Sequence, residues 1–147
     1  MPSGGPLMAL FRFFMKRTIR SYRKSGGAGI SKRMGFPVVL LTTRGAKSNQ
    51  ERPTPLAGIQ EGPDAWLVVA AFAGAARHPA WFLNMAAHPN DVWLEVGTKR
   101  FKVQAETLDG EDRAEAIRRI AAISPRPVSY QPKTDREIPI VRLTRED

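Results

Sequence analysis

Two alternating runs, Val92-Trp93-Leu94-Glu95-Val96 and Lys99 to Thr107, meet across the dipeptide Gly97-Thr98. Apolar and polar side chains alternate on each side of a two-residue glycine turn, which is the pattern of a β-hairpin with one buried face. A chain that folds this stretch as a hairpin is committed to antiparallel pairing at its centre. Four further β-type runs join it: Val38–Thr43, Leu56–Glu61, Trp66–Phe72 and Ile138–Leu143. Trp66–Phe72 is nearly all apolar, so both its faces are expected to be buried. Gly62-Pro63-Asp64 supplies the turn before it. Pro139 marks the last run as an edge strand or a bulge.

Three helices are expected between and before these runs. Pro79–Ala87 carries a proline in its first turn. Asp109–Ser124 puts Ala114, Ile117, Ile120 and Ala121 on one face and is stopped by Pro125. Leu7–Lys24 is amphipathic: at about 100° per residue, Leu7, Leu10, Phe11, Phe14, Met15, Thr18, Ile19 and Tyr22 share one side. Arg12, Lys16, Arg20, Arg23 and Lys24 lie opposite, with Arg17 at the border. The connections are hairpins rather than repeated βαβ units. About six strands and three helices then give an α+β fold, a small antiparallel or mixed β-barrel with helices outside.

Charge divides the chain in two. The net charge is +9, and eight of the 23 basic residues but none of the 14 acidic ones fall in residues 1–34, leaving the rest at +1. Residues 1–34 read as a basic amphipathic helix with a flexible break at Ser25–Gly29, and residues 35–147 as the globular domain. The apolar stripe of the helix either packs on that domain or lies on a membrane surface. A nearly neutral body argues against nucleic acid as a partner. Cysteine is absent and only His78 and His88 occur, so a thiolate site, a disulfide and a histidine-rich metal site are all excluded and no metal is expected. No apolar run approaches the roughly 20 residues of a membrane span.

Three stretches carry chemistry. Thr42 to Pro55 (TTRGAKSNQERPTP) is a polar loop between strands that holds Arg44, Gly45, Lys47, Ser48 and Arg52. Glycine admits close backbone approach, lysine supplies a point charge and arginine a planar fork, a combination suited to phosphate. The spacing is neither that of a Walker A loop nor of a dinucleotide fingerprint. The second stretch, His78 to Asn84 (HPAWFLN), places Trp81 and Asn84 one turn apart on one helix face, a flat ring beside an amide. The third holds Tyr130, a candidate proton donor, followed by Thr134-Asp135-Arg136-Glu137-Ile138-Pro139-Ile140-Val141. Ser48, His78 and Asp135 could be assembled into a triad on paper, but no nucleophile elbow is present.

Together, TTRGAKSNQERPTPL, AAFAGAARHPAWFLNM with the Ala-Ala-His-Pro after it, and TDREIPIV resemble the deazaflavin-dependent nitroreductase family of actinobacteria, which uses coenzyme F420. The resemblance runs from Gly35 to Leu143. It implies a split β-barrel of the FMN-binding and pyridoxamine-oxidase kind, and a reductase that passes a hydride from reduced F420 to a quinone, an activated C=C bond or a nitroaromatic. It implies that Lys47, Ser48 and Arg52, with Arg44 in support, hold the phosphate and acidic tail of the cofactor. Backbone groups of Pro55 and Leu56 would lie along it, and Ala70, Ala71, Phe72, Ala73 and Gly74 would line the ring. Arg77 and Asn84 would add polar contacts, while Trp81 and Tyr130 would border the substrate.

This chain departs from the family pattern in placing Ala46 where arginine is common, Asn49 for glycine, Ala71 for serine and Pro127 for tyrosine. The same residues leave open an FMN-binding oxidoreductase-like protein or a non-catalytic F420-binding protein. The implied setting is cytoplasmic, with peripheral contact to the inner face of the cell membrane through residues 7–24. An F420-reducing dehydrogenase would be the indirect supplier of reduced cofactor. On this reading, deletion of residues 1–34 abolishes liposome binding and leaves cofactor binding intact.

Overall fold

A computed structural model describes residues 6–70, 78–123 and 137–146. Among them are four helices, α1 (Pro6–Ser25), α2 (Ala28–Met34), α3 (Ala80–Ala87) and α4 (Gly110–Ile123). The strands are β1 (Val38–Arg44), β2 (Glu51–Ala57), β3 (Ile59–Gln60), β4 (Ala65–Val69), β5 (Trp93–Val96), β6 (Lys99–Thr107) and β7 (Ile140–Arg145). They form one curled sheet in the order β2-β1-β5-β6-β7-β4-β3, with every neighbouring pair antiparallel. This is the expected α+β split barrel with helices on its outer surface.

The hairpin of β5 and β6 is the pivot. Its turn places Gly97 at φ 61, a conformation that costs glycine nothing. β6 then serves two partners. Lys99–Lys102 pairs with β5, and Val103–Thr107 pairs with β7, so one long strand carries the sheet around the curve.

Alternation decides which side each residue faces. Val39 and Leu41 of β1 join Trp66, Val68, Leu94, Phe101, Val103, Val141 and Leu143 in one core, onto which α3 lays Trp81 and Met85. Val38 and Leu40, one residue out of step, point the other way and meet Tyr22 of α1. Leu67 and Ile140 join Ala116 and Ile120 of α4 in a third cluster. β1 and β4 are therefore sandwiched, which is why their sequences read as unbroken apolar runs.

Several sequence expectations are corrected. The strand expected at Leu56–Glu61 is divided in two: β2 begins at Glu51 and ends at Ala57, because the ladder from Val38↔Ala57 continues to Arg44↔Glu51, and β3 pairs separately with β4. Pro53 and Pro55 are tolerated within it because β2 is an edge strand. β7 is central, and Pro139 lies just outside its ladder, its carbonyl accepting the Ala70 N–H at 2.9 Å. The flexible break at Ser25–Gly29 is a hydrogen-bonded turn, with the Gly26 N–H on the Tyr22 carbonyl at 2.8 Å. The short helix α2 follows at once.

Candidate functional site

The polar loop is shorter and more ordered than its composition implies. It runs from Gly45 to Gln50 and closes on itself: Gly45 N–H donates to the Gln50 carbonyl at 2.8 Å and Asn49 N–H to the Gly45 carbonyl at 2.9 Å. Asn49 adopts φ 58, the left-handed region that asparagine tolerates better than most residues. Ser48 folds over Gly45 so closely that a Cβ there would sit 2.3 Å from its Oγ. That Oγ accepts from the Gln50 N–H at 3.2 Å and from Arg52 Nη2 at 3.3 Å, which leaves the hydroxyl proton of Ser48 to donate.

Arg44 is committed at the base of the loop. It donates to the Asp91 carboxylate and to the Asn49 carbonyl. The hydrogen bond from Arg44 holds the Asp91 carboxyl below the usual range, and the Trp93 indole N–H at 3.0 Å acts in the same direction against the opposing effect of burial. Arg44 therefore serves as a clamp on the loop, while Lys47 and Arg52 remain exposed above it.

Asn84 ties this loop to α3. It is buried, accepting from the Ala46 N–H at 3.1 Å and donating to Thr43 Oγ1 at 3.2 Å. Thr43 stands opposite Arg52 across the β1–β2 ladder. One carboxamide thus registers α3, β1 and the loop, and a single side chain of matched donor and acceptor serves both partners.

These elements enclose a groove of about 960 Å³. One wall is β2, from Glu51 to Leu56; another is the start of α3, with Pro79, Ala80, Trp81 and Asn84. The remaining wall is α1, which contributes Met15, Lys16 and Ile19. Of the residues expected at the site, Arg52, Pro55, Leu56, Trp81 and Asn84 come together here, and Ser48 reaches the groove through Arg52. Trp81 is only 4% exposed, so it belongs to the core cluster as well as to the groove. Ala70 is fully buried at the end of β4. Ala71, Phe72, Ala73, Gly74, Arg77 and Tyr130 lie outside the described residues, as do Pro127 and Asp135.

Sequence reasoning missed the α1 wall. The helical wheel assigned Lys16 to the face opposite Met15 and Ile19, yet all three line the groove. Residues 15 and 16 are only about 100° apart, so a groove wide enough to admit one reaches the other. Among the described residues no cluster of three His, Cys, Asp or Glu side chains could hold a metal ion.

A cationic loop beside an apolar slot is chemically suited to a ligand with a planar ring and an anionic tail. Residues 14–145 match the family model described as F420H(2)-dependent quinone reductase. An F420H(2)-dependent quinone reductase of Mycobacterium tuberculosis is 42% identical over 114 residues, covering 74% of this chain and 74% of the relative. The structure of an F420-H2 dependent reductase, FDR-A, superposes with a TM-score of 0.65 at 36% identity, over 73% of this chain and 93% of that one. A pyridoxamine 5'-phosphate oxidase-type protein of Listeria innocua shares the fold alone: TM-score 0.51 and 10% identity, over 80% of this chain and 90% of that one.

Proposed function

Because the chain belongs to the F420H(2)-dependent quinone reductase family, it is an oxidoreductase with coenzyme F420 as its cofactor, and we propose that the groove between α1, β2 and α3 is where that cofactor and the acceptor meet. The observation that carries this reading is the division of one groove into a cationic end and an apolar flank. Arg52 stands at the first, with the free hydroxyl proton of Ser48 beside it, and the exposed Lys47 of the same loop is proposed as a further cation for the tail. Pro53, Pro55, Leu56 and Trp81 make the second.

The bound reduced cofactor supplies a hydride, which is the hard part of the chemistry. The protein's share is to bind and orient. Arg52 keeps Nη2 on Ser48 and leaves the rest of its fork for an anion, so a phosphate meets a donor array already in place. Asn84 spends both its polar groups on the loop and β1, so it shapes the groove rather than gripping the cofactor. The prolines of β2 present a smooth apolar surface with no N–H to satisfy. Trp81 borders the acceptor, and Tyr130 is the proposed proton donor to the reduced product.

The acceptor is a quinone, with an activated C=C bond conjugated to a carbonyl or a nitroaromatic as further candidates. A membrane-dissolved quinone suits the front of α1, where Leu10, Phe13 and Phe14 are 51%, 58% and 55% exposed among basic residues. Among the described residues no helix is long and apolar enough to cross a membrane, so residues 7–24 would lie on the inner surface of the cell membrane rather than through it. An F420-reducing dehydrogenase would return the oxidised cofactor to its reduced form.

The test is a fluorescence titration of the purified chain with oxidised F420 and, separately, FMN, followed by turnover with a soluble quinone, an enone and a nitroaromatic. The expected result is an F420 dissociation constant on the order of micromolar, little FMN binding, and fastest turnover with the quinone. An Arg52→Gln variant that binds F420 as the unaltered chain does would show that the cofactor sits elsewhere.

A further inference from the structure

We infer that α1 is a working wall of the reaction groove and that its Lys16 ammonium is a binding residue for the anionic tail of the cofactor. The inference rests on the groove being the cofactor site, and it makes the N-terminal helix part of the enzyme rather than a separable arm.

Lys16 and Arg52 line the same groove from different walls. The one acidic residue in that lining, Glu51, is paired across the sheet with Arg100 at 3.6 Å. Lys16 has no acidic partner among the described residues, whereas Arg23, Arg113, Arg118, Arg119 and Arg142 each have one. Two exposed cations that line one groove and have no carboxylate partner among the described residues raise the positive potential there and favour an anion in it.

α1 is held where this requires. Tyr22 is 1% exposed, and its hydroxyl lies 3.1 Å from the Val38 carbonyl, 3.1 Å from the Glu95 carbonyl and 3.2 Å from the Gly97 N–H. With one proton it donates to one carbonyl at a time and accepts from Gly97. Arg23 adds an ion pair to Glu95 at 3.1 Å. Gly27 closes over the ring: a Cβ there would lie 2.1 Å from it, so no larger residue fits without displacing the tyrosine. Lys16 lies six residues before Tyr22 on the same helix, roughly 9 Å along its axis, and moves with it.

The experiment compares two probes on the full-length chain: oxidised F420, and a deazaflavin that ends at its ribityl chain without phosphate or carboxylates. Lys16→Gln is expected to raise the F420 dissociation constant about five-fold at low salt, to flatten its salt dependence, and to leave the tail-less probe unchanged. Lys24→Gln removes the same charge away from the groove and is expected to change neither. If Arg52→Gln weakens F420 binding and Lys16→Gln does not, the groove reading stands and the role of Lys16 falls. If neither variant alters F420 binding, the groove reading falls and this inference with it. If Lys16→Gln weakens both probes equally, Lys16 acts on the fold or the ring and not on the tail, which also overturns the assignment.

Discussion

Tyr22→Phe is the sharpest probe of how the N-terminal helix is held. The substitution keeps the ring in its buried seat and deletes only the hydroxyl. The Gly97 N–H loses its acceptor, and the carbonyls of Val38 and Glu95 lose the donor they share. A buried polar group left without a partner costs about 1–3 kcal/mol. Glu95 and Gly97 are half-buried, so water takes up part of the loss, and the net expectation is about 2 kcal/mol. For a chain of 147 residues that corresponds to a fall in Tm of roughly 4–8 °C.

The pH dependence supplies a second reading of the same contact. Burial pushes the Tyr22 hydroxyl above its ordinary value of 10.0, the Gly97 N–H opposes the rise and the Glu95 charge adds to it. The folded state therefore holds its proton after the unfolded state has released it. The stabilising effect is complete below pH 10 and drains away as pH climbs from there through the folded-state value. Calorimetry or thermal melts between pH 8 and about pH 11 should show a Tm that falls more steeply for the unaltered chain than for Tyr22→Phe. Melting temperatures within 1 °C at neutral pH and parallel alkaline limbs would refute the latch.

Asn84→Ala should destabilise by about 2 kcal/mol, since it strands the Ala46 N–H and Thr43 Oγ1, and should weaken F420 binding by loosening the loop; denaturant melts and the fluorescence titration check the two effects. Asn84→Asp keeps the shape and the acceptor but cannot donate to Thr43, so its loss should be intermediate. Glu61, whose carboxyl is held below 4.5 chiefly by its hydrogen bond from Arg142, stabilises the fold above that pH, and the contribution is lost as pH falls through its lowered value. Glu61→Gln should accordingly cost about 1 kcal/mol at neutral pH and flatten the acid limb of stability, read from melts between about pH 2 and 7. Phe13→Glu with Phe14→Glu should abolish co-sedimentation with anionic liposomes while leaving F420 binding unchanged; retained sedimentation would remove the front of α1 as the membrane contact.

Local rules located the elements well because most of them are decided locally. The Gly97-Thr98 turn demanded its hairpin, and Lys99–Thr107 became a strand of those very bounds. Asn49 shows how much a single position conveys: it is among the few non-glycine residues that tolerate positive φ, and the loop adopts it there. The polar residues and prolines of Glu51–Pro55 read as loop, yet they form a strand because β2 lies at an edge, and edge position is a property of the whole sheet. The error at Pro139 is the converse. A proline that resembled an edge marker precedes a central strand, because it stops one residue short of the ladder.

The site was legible where it was contiguous and illegible where it was assembled. Arg52 stands out by the composition of its loop and Trp81 and Asn84 by their spacing on one helical turn, Pro55 and Leu56 are implied by the family resemblance alone, and all five line one groove. Two roles depended on distant partners instead. Arg44 reads as a free phosphate ligand until Asp91, 47 positions away, claims it. Lys16 reads as a solvated charge until α1 is docked, and the docking rests on Tyr22 reaching Glu95 and Gly97, more than 70 positions on. Periodicity states which residues share a side of a helix but not how deep a groove that side will meet. Met15 and Ile19 face the groove as an apolar stripe should, and Lys16 enters it because the space between β2 and α3 spans more of the helix than its apolar arc. Removing residues 1–34 therefore tests two things together, the membrane surface and the wall, and only substitutions confined to one end of α1 separate them.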